Sequence, residues 1–202
     1  MKVIGIDLAG TENRPTGFCI MNDKMNVRTK ILYKDREIIK NILEEKPKII
    51  AIDAPLSLPK GRKSLEQKSN IHLRECDKEL LRNKIKFFPI TLGPMRKLTK
   101  RGIRLKKILN KKGFEVIEVY PGGAQDLLKI PRKSKSVEGL RKGLEMLGIK
   151  GLSENMTDHE LDAVTSAFVA KLYLEKKYIA YGNNDEGVII MPKLWVTNKL
   201  YP

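Results

Sequence analysis

Val3-Ile4-Gly5-Ile6-Asp7 is an apolar run that ends on a carboxylate, and the chain repeats the pattern. It returns as Ile49-Ile50-Ala51-Ile52-Asp53 and, more briefly, as Val116-Ile117-Glu118. Each run reads as a buried strand. A carboxylate at such a position is costly unless something pairs with it. Two further acids, Asp158 and Asp162, open a helix later in the chain. Carboxylates gathered from several strand ends and one helix start would form a divalent-metal site.

The residues around these runs set the order of elements. Lys2 to Leu8 and Gly17 to Met21 read as strands joined through the turn-rich Gly10 to Pro15. Asn22-Asp23 suits a hairpin turn. Val27 to Tyr33 alternates and reads as a third strand. Asp35 to Glu45 carries Ile38, Ile39, Ile42 and Leu43 at helical spacing, and Lys48 to Asp53 is a short apolar strand. The first three strands form an antiparallel meander, and the helix supplies the crossover that a parallel pairing needs. Pro55 to Ser69 reads as a mobile basic loop. Helices are expected at Leu73 to Arg82 and Arg96 to Lys112, with a strand at Glu115 to Val119 ended by Tyr120-Pro121-Gly122-Gly123. Gln125 to Lys129 and Val137 to Leu147 are short helical candidates, Thr157 to Lys176 is a long helix, and Gly187 to Met191 suits an edge strand.

The chain has 202 residues, 41% hydrophobic and 32% charged, enough apolar content for one core. One domain spanning 1–202 is expected, with a basic helical insertion at about 55–112. Forty Lys and Arg face 24 Asp and Glu, a formal charge of +16. That imbalance favours an anionic partner, nucleic acid first, although a Lys-rich solvated surface gives the same count. Cys19 and Cys76 show neither metal-ligand spacing nor a disulfide framework, so a cytoplasmic location is expected. No apolar run is long enough to span a membrane.

Strands in a parallel pair bring their carboxyl ends to one edge of the sheet, where α/β proteins gather ligand sites. Thr157 and Glu160 fit a capping box that starts the late helix. Asp158 and Asp162, four apart, share a face of it. Asp158 also suits the helix dipole, whereas Asp162 lies among apolar Leu161, Ala163 and Val164. Ala163, Ala167 and Ala170 let this helix lie close to a sheet. Clustered carboxylates need protons or cations among them, and oxygen-only ligands suit Mg²⁺ or Mn²⁺. His159 stands beside these acids and can transfer protons, but its first-turn position favours a solvated role. With His72 and His159 the only histidines, zinc catalysis has little support.

This order of elements and acids is similar to the ribonuclease H-like fold. The chain resembles the proteins grouped as domain of unknown function 429, taken by fold analogy for nucleases. The resemblance rests on Gly5-Ile6-Asp7-Leu8-Ala9, Ile52-Asp53-Ala54-Pro55, Arg74-Glu75-Cys76-Asp77, Glu118-Val119-Tyr120-Pro121 and Asp158-His159-Glu160-Leu161-Asp162-Ala163. It implies an α/β fold: a mixed sheet, with a three-strand antiparallel meander plus parallel strands, flanked by helices. It implies a hydrolase in which Asp7, Asp53 and Asp162 are catalytic metal ligands, with Glu118 or Asp158 completing the set. No Glu of the first helix is singled out among Glu37, Glu44 and Glu45, so the pattern looks closer to crossover-junction resolvases than to cellular ribonucleases H. Alternation through Val119 and Tyr120 leaves open which face Glu118 takes.

Basic residues crowd two loops, Lys60-Gly61-Arg62-Lys63 and Arg132-Lys133-Ser134-Lys135, and one helix from Arg96 to Lys112. Leu98, Leu105 and Leu109 form that helix's buried stripe, so its cations, Arg101 among them, can track a phosphate backbone. Arg74 and Asp77 can form a structural ion pair. Phe87, Phe88, Tyr120 and Trp195 read as packing residues. The expected function is therefore a two-metal nuclease acting on structured DNA, RNA or a hybrid, with the oligomeric state open and a dimer among the options. A non-catalytic nucleic-acid-binding module is one alternative. A phosphoryl-transfer protein of the actin-like, ATP-binding kind is another, through Gly5-Ile6-Asp7-Leu8-Ala9-Gly10-Thr11.

Overall fold

The computed structural model describes residues 1–193. Its sheet comprises β1 (Lys2–Asp7), β2 (Thr16–Asn22), β3 (Val27–Leu32), β4 (Ile49–Asp53), β5 (Val116–Val119), β6 (Tyr178–Asn183) and β7 (Gly187–Pro192), in the order β3-β2-β1-β4-β5-β7-β6. β1, β2 and β3 are antiparallel neighbours, while β4 and β5 run parallel to β1. Helix α1 (Asp35–Glu45) makes the crossover from β3 to β4. The meander, the crossover and the parallel pair follow the sequence reading. Between β4 and β5 come α2 (Glu75–Arg82) and α3 (Gly93–Lys111), then α4 (Pro121–Leu127), α5 (Val137–Met146) and α6 (Asp158–Leu174) follow β5.

Strand alternation divides the core into two layers. Val3, Ile49, Ala51, Ile117 and Val119 pack under α6, with Leu161, Val164 and Phe168 above them. Ile4, Ile6, Ile50 and Ile52 face the other way, onto Ile38 and Ile42 of α1 and Leu105 and Leu109 of α3. Residues Leu161 to Ala170 of α6 are buried without a break, the mark of a helix enclosed on all sides. Glycine makes this possible. A Cβ on Gly5 would lie 2.1 Å from the Ala163 carbonyl oxygen, and one on Gly17 would lie 2.0 Å from that of His159. The helix backbone therefore rests directly on β1 and β2.

The structure revises several sequence expectations. β7 is interior: it pairs parallel with β5 and antiparallel with β6, an edge strand that the sequence reading missed. Helix α4 starts at Pro121, where proline is preorganised for the first turn. Gly123 belongs to that turn because a Cβ there would meet Met191, Tyr120 and Ile85 within 3 Å. The basic loop around Lys60 is wound about Arg62, whose guanidinium is buried and donates to the carbonyls of Ile71, Ser64, Leu65, Gln67 and Ser69. Arg101 is likewise buried, donating to Asp35 and to the carbonyls of Ala9, Thr11 and Tyr33. Both arginines hold loops together instead of facing a partner. Trp195 lies outside the described residues.

Candidate functional site

In the parallel pair of β1 and β4, Asp7 stands directly beside Asp53. Both strands end there, and both side chains share the face covered by α6. Thr157 starts α6 with the anticipated capping box: its side chain accepts from the Glu160 amide, and Glu160 accepts from the Thr157 amide at 2.9 Å. Thr29 on β3 also donates to Glu160, at 2.6 Å, fixing the helix start over the meander. The first turns of α6 thereby bring Asp158, His159 and Asp162 to the strand ends.

His159 Nδ1 lies 2.7 Å from Asp7 Oδ2. This bond raises the imidazole pKa above its ordinary value, against the opposing effect of burial. His159 is thus part of the cluster, not merely a solvated first-turn residue. Asp162 is buried and accepts from Gln125 Nε2 at 2.7 Å. Burial raises its carboxyl above the usual range, an effect that Lys133 partly offsets. Asp53 is the least compensated member. Burial pushes its carboxyl well above the ordinary range, and Asp7 and Asp162 push it further. Among the described residues, no group donates a hydrogen bond to it.

The cation in this cluster comes from the loop between α4 and α5. Lys133 Nζ stands 2.9 Å from Asp162, 3.2 Å from Asp158 and 3.8 Å from Asp7. These contacts hold its pKa up although burial alone would lower it. The same ammonium draws Asp158 below the ordinary carboxylate range, against the cost of burial. Read from sequence, Lys133 was one of four consecutive polar loop residues, with no local signal separating it from Lys135.

Glu118 does not join the cluster. It pairs in register with Ile52, one position before Asp53, so it points to the opposite face of the sheet. Arg74 grips both its oxygens, at 2.7 and 2.8 Å, and the Leu56 amide adds a third bond at 2.7 Å. Arg74 is 1% exposed and also binds both oxygens of Asp77 and the Ser57 hydroxyl. Glu118 is thus saturated by structural partners, and the expectation that it ligates metal is corrected by strand alternation.

Whether the remaining acids fit a divalent ion is a question of donors and spacing. Asp7, Asp53, Asp158 and Asp162 offer only oxygen, as Mg²⁺ and Mn²⁺ prefer, and their charge exceeds that of Lys133 and His159. Among the described residues, no three His, Cys, Asp or Glu side chains already form a metal cage. Asp162 and Asp158 hold the ammonium at 2.9 and 3.2 Å and Asp7 stands 3.8 Å from it, all longer than the ~2.1 Å of a Mg²⁺–oxygen contact. The donor chemistry fits, with the carboxylates needing to close in.

The fold has known counterparts. Thermus thermophilus RuvC aligns with a TM-score of 0.52 at 14% identity, over 87% of this chain and 96% of that one. T. thermophilus RuvC in complex with Holliday junction substrate aligns at 0.51 and 15%, with the same coverage. No curated protein matches the sequence. Residues 5–186 match the family described as "Protein of unknown function (DUF429)". With nearly its whole length matched, the chain belongs to that DUF429 family and has the ribonuclease H-like fold of RuvC.

Proposed function

We propose that this protein is a metal-dependent nuclease that hydrolyses phosphodiester bonds in structured nucleic acid. The observation that carries the reading is Asp53. A half-buried carboxylate left without a donor, beside Asp7 and facing Asp162, is a poor way to build a core and a good way to await a cation. Asp7, Asp53 and Asp162 would hold the ion, with Asp158 at the rim. When bound, such an ion supplies a water of lowered pKa and a counter-charge for the leaving oxygen. His159 orients Asp7 through Nδ1 and presents its other ring nitrogen as a site for a proton.

Charge supports a polyanionic substrate. The chain carries +16, and Arg96, Lys97, Lys100, Lys107 and Lys111 of α3 are exposed. The start of α3 packs against Gly10, just beyond Asp7, so these cations begin beside the acidic edge. RuvC, the structural counterpart, is known in complex with Holliday junction substrate. A branched DNA is therefore the first substrate to try.

The actin-like alternative has less support. In the loop after β1, the Ala9 amide donates to Thr16 Oγ1, and the Ala9 and Thr11 carbonyls accept from Arg101. A phosphate loop needs its amides free to cradle the anion, and here the Ala9 amide is already taken.

The test is cleavage of a panel of four-way junction, duplex, hybrid and single-stranded substrates with Mn²⁺, with Asp7→Asn alongside. Strand scission by the wild type and none by the variant is expected. Binding that survives chelation, with no scission on any substrate, would instead make this a non-catalytic nucleic-acid-binding module.

A further inference from the structure

Lys133 is unlike the other basic residues of the surface. Its neighbours hold the loop rigidly and leave this one side chain aimed inward. Arg132 Nε donates to Asp126 at 2.8 Å, its Nη1 donates to the Tyr120 hydroxyl at 3.1 Å, and its guanidinium stacks 5.6 Å from the Tyr120 ring centre. Tyr120 in turn donates to the Lys86 carbonyl at 2.6 Å. On the other side, Ser136 caps α5 by accepting from the Gly139 amide at 2.8 Å. Ile130 fills the space above Gly143, where a Cβ would lie 2.7 Å from it. The backbone at 133 is thus pinned at both ends, while the Lys133 side chain remains about one-third exposed.

Resting on the metal-dependent reading above, we propose that Lys133 is a built-in counter-cation that occupies the cluster until a divalent ion displaces it. Its ammonium touches Asp162 and Asp158 and approaches Asp7. These are three of the four acids that would hold the ion. Two cations cannot share that space, since like charges a few ångströms apart in a partly buried site repel strongly. Ion entry therefore requires the ammonium to leave. The arrangement has two consequences: the cluster is stable without metal, because Lys133 offsets the repulsion among its acids, and metal affinity is lower than the four carboxylates alone would give.

The experiment measures Mn²⁺ binding by calorimetry, and melting in a chelator, for wild type, Lys133→Met and Lys135→Met. Lys135 is exposed in the same loop and controls for the loss of one charge. Lys133→Met is expected to bind Mn²⁺ on the order of tenfold more tightly, and to melt at a lower temperature than wild type in chelator. Lys135→Met is expected to change affinity less than about twofold. Lys133→Gln, which keeps a polar end, serves where the Met variant folds poorly. Unchanged or weaker Mn²⁺ binding in both Lys133 variants, with the wild type binding normally, overturns the counter-cation and leaves the metal reading intact. If no form binds Mn²⁺, the metal reading falls and the counter-cation with it. Binding by the Lys133 variants alone is the strongest support, because the ammonium then excludes the ion outright.

Discussion

Two groups of acids sit on opposite faces of the same sheet end, and they are held in opposite ways. On one face, Glu118 and Asp77 surround Arg74, whose guanidinium donates to both carboxylates and to the Ser57 hydroxyl. On the other, a single lysine ammonium and one imidazole serve Asp7, Asp158 and Asp162, and Asp53 has no donor among the described residues. Planar bidentate pairing consumes a carboxylate's bonding capacity, while a point charge shared among several acids leaves most of it unused. The difference separates acids that hold the molecule together from acids that remain available for chemistry.

That contrast can be broken experimentally. The largest effect is expected from Arg74→Met, which leaves two carboxylates buried without a counter-charge. A loss of about 3–5 kcal/mol is expected in urea unfolding, and a loss below about 1 kcal/mol would refute the structural role given to Arg74. Asp53→Asn should do the reverse. Removing an uncompensated charge is expected to stabilise the metal-free protein by about 1 kcal/mol, while any Mn²⁺-dependent cleavage disappears. A variant less stable than wild type would show that Asp53 is held by partners after all. His159→Asn removes a ring bonded to Asp7 but no acid, so cleavage should fall by roughly 10²-fold with melting little changed. The smallest effect is expected from Lys97→Ala, which should weaken junction binding evenly across sequences and reduce the salt slope by about 1. An unaltered slope would move the nucleic acid away from the start of α3.

Much of the fold was legible because its signals are local. Apolar runs gave β1, β4 and β5, helical spacing gave α1, and the Thr157–Glu160 capping box gave the start of α6. Failures came where the deciding contact is distant in sequence. β6 is a poorly buried edge strand with no clear alternation, and its identity depends on pairing with β7. Arg62 and Arg101 looked like surface cations because sequence shows charge but not the carbonyls waiting around it. In the acidic cluster, Asp7, Asp53, Asp158 and Asp162 could be nominated from run ends and helix position. Glu118 could not be placed, because a shift of one residue along a strand reverses its face. Lys133 carried no local mark. Gly5 and Gly17 did offer an unused clue: glycine inside a strand signals the close approach of another backbone, here α6.

That close approach also sets when the site can exist. Asp7 and its partner His159 lie 152 residues apart in the chain. The acids of β1 and β4 acquire their neighbours only when α6 docks, backbone to backbone, onto strands already formed. Contacts of such separation close late in folding, because the loop entropy must be met before they contribute. A chain emerging from the ribosome therefore carries its first two carboxylates apart from the rest of the cluster. Whatever chemistry the cluster performs stays silent until α6 has been synthesised and docked.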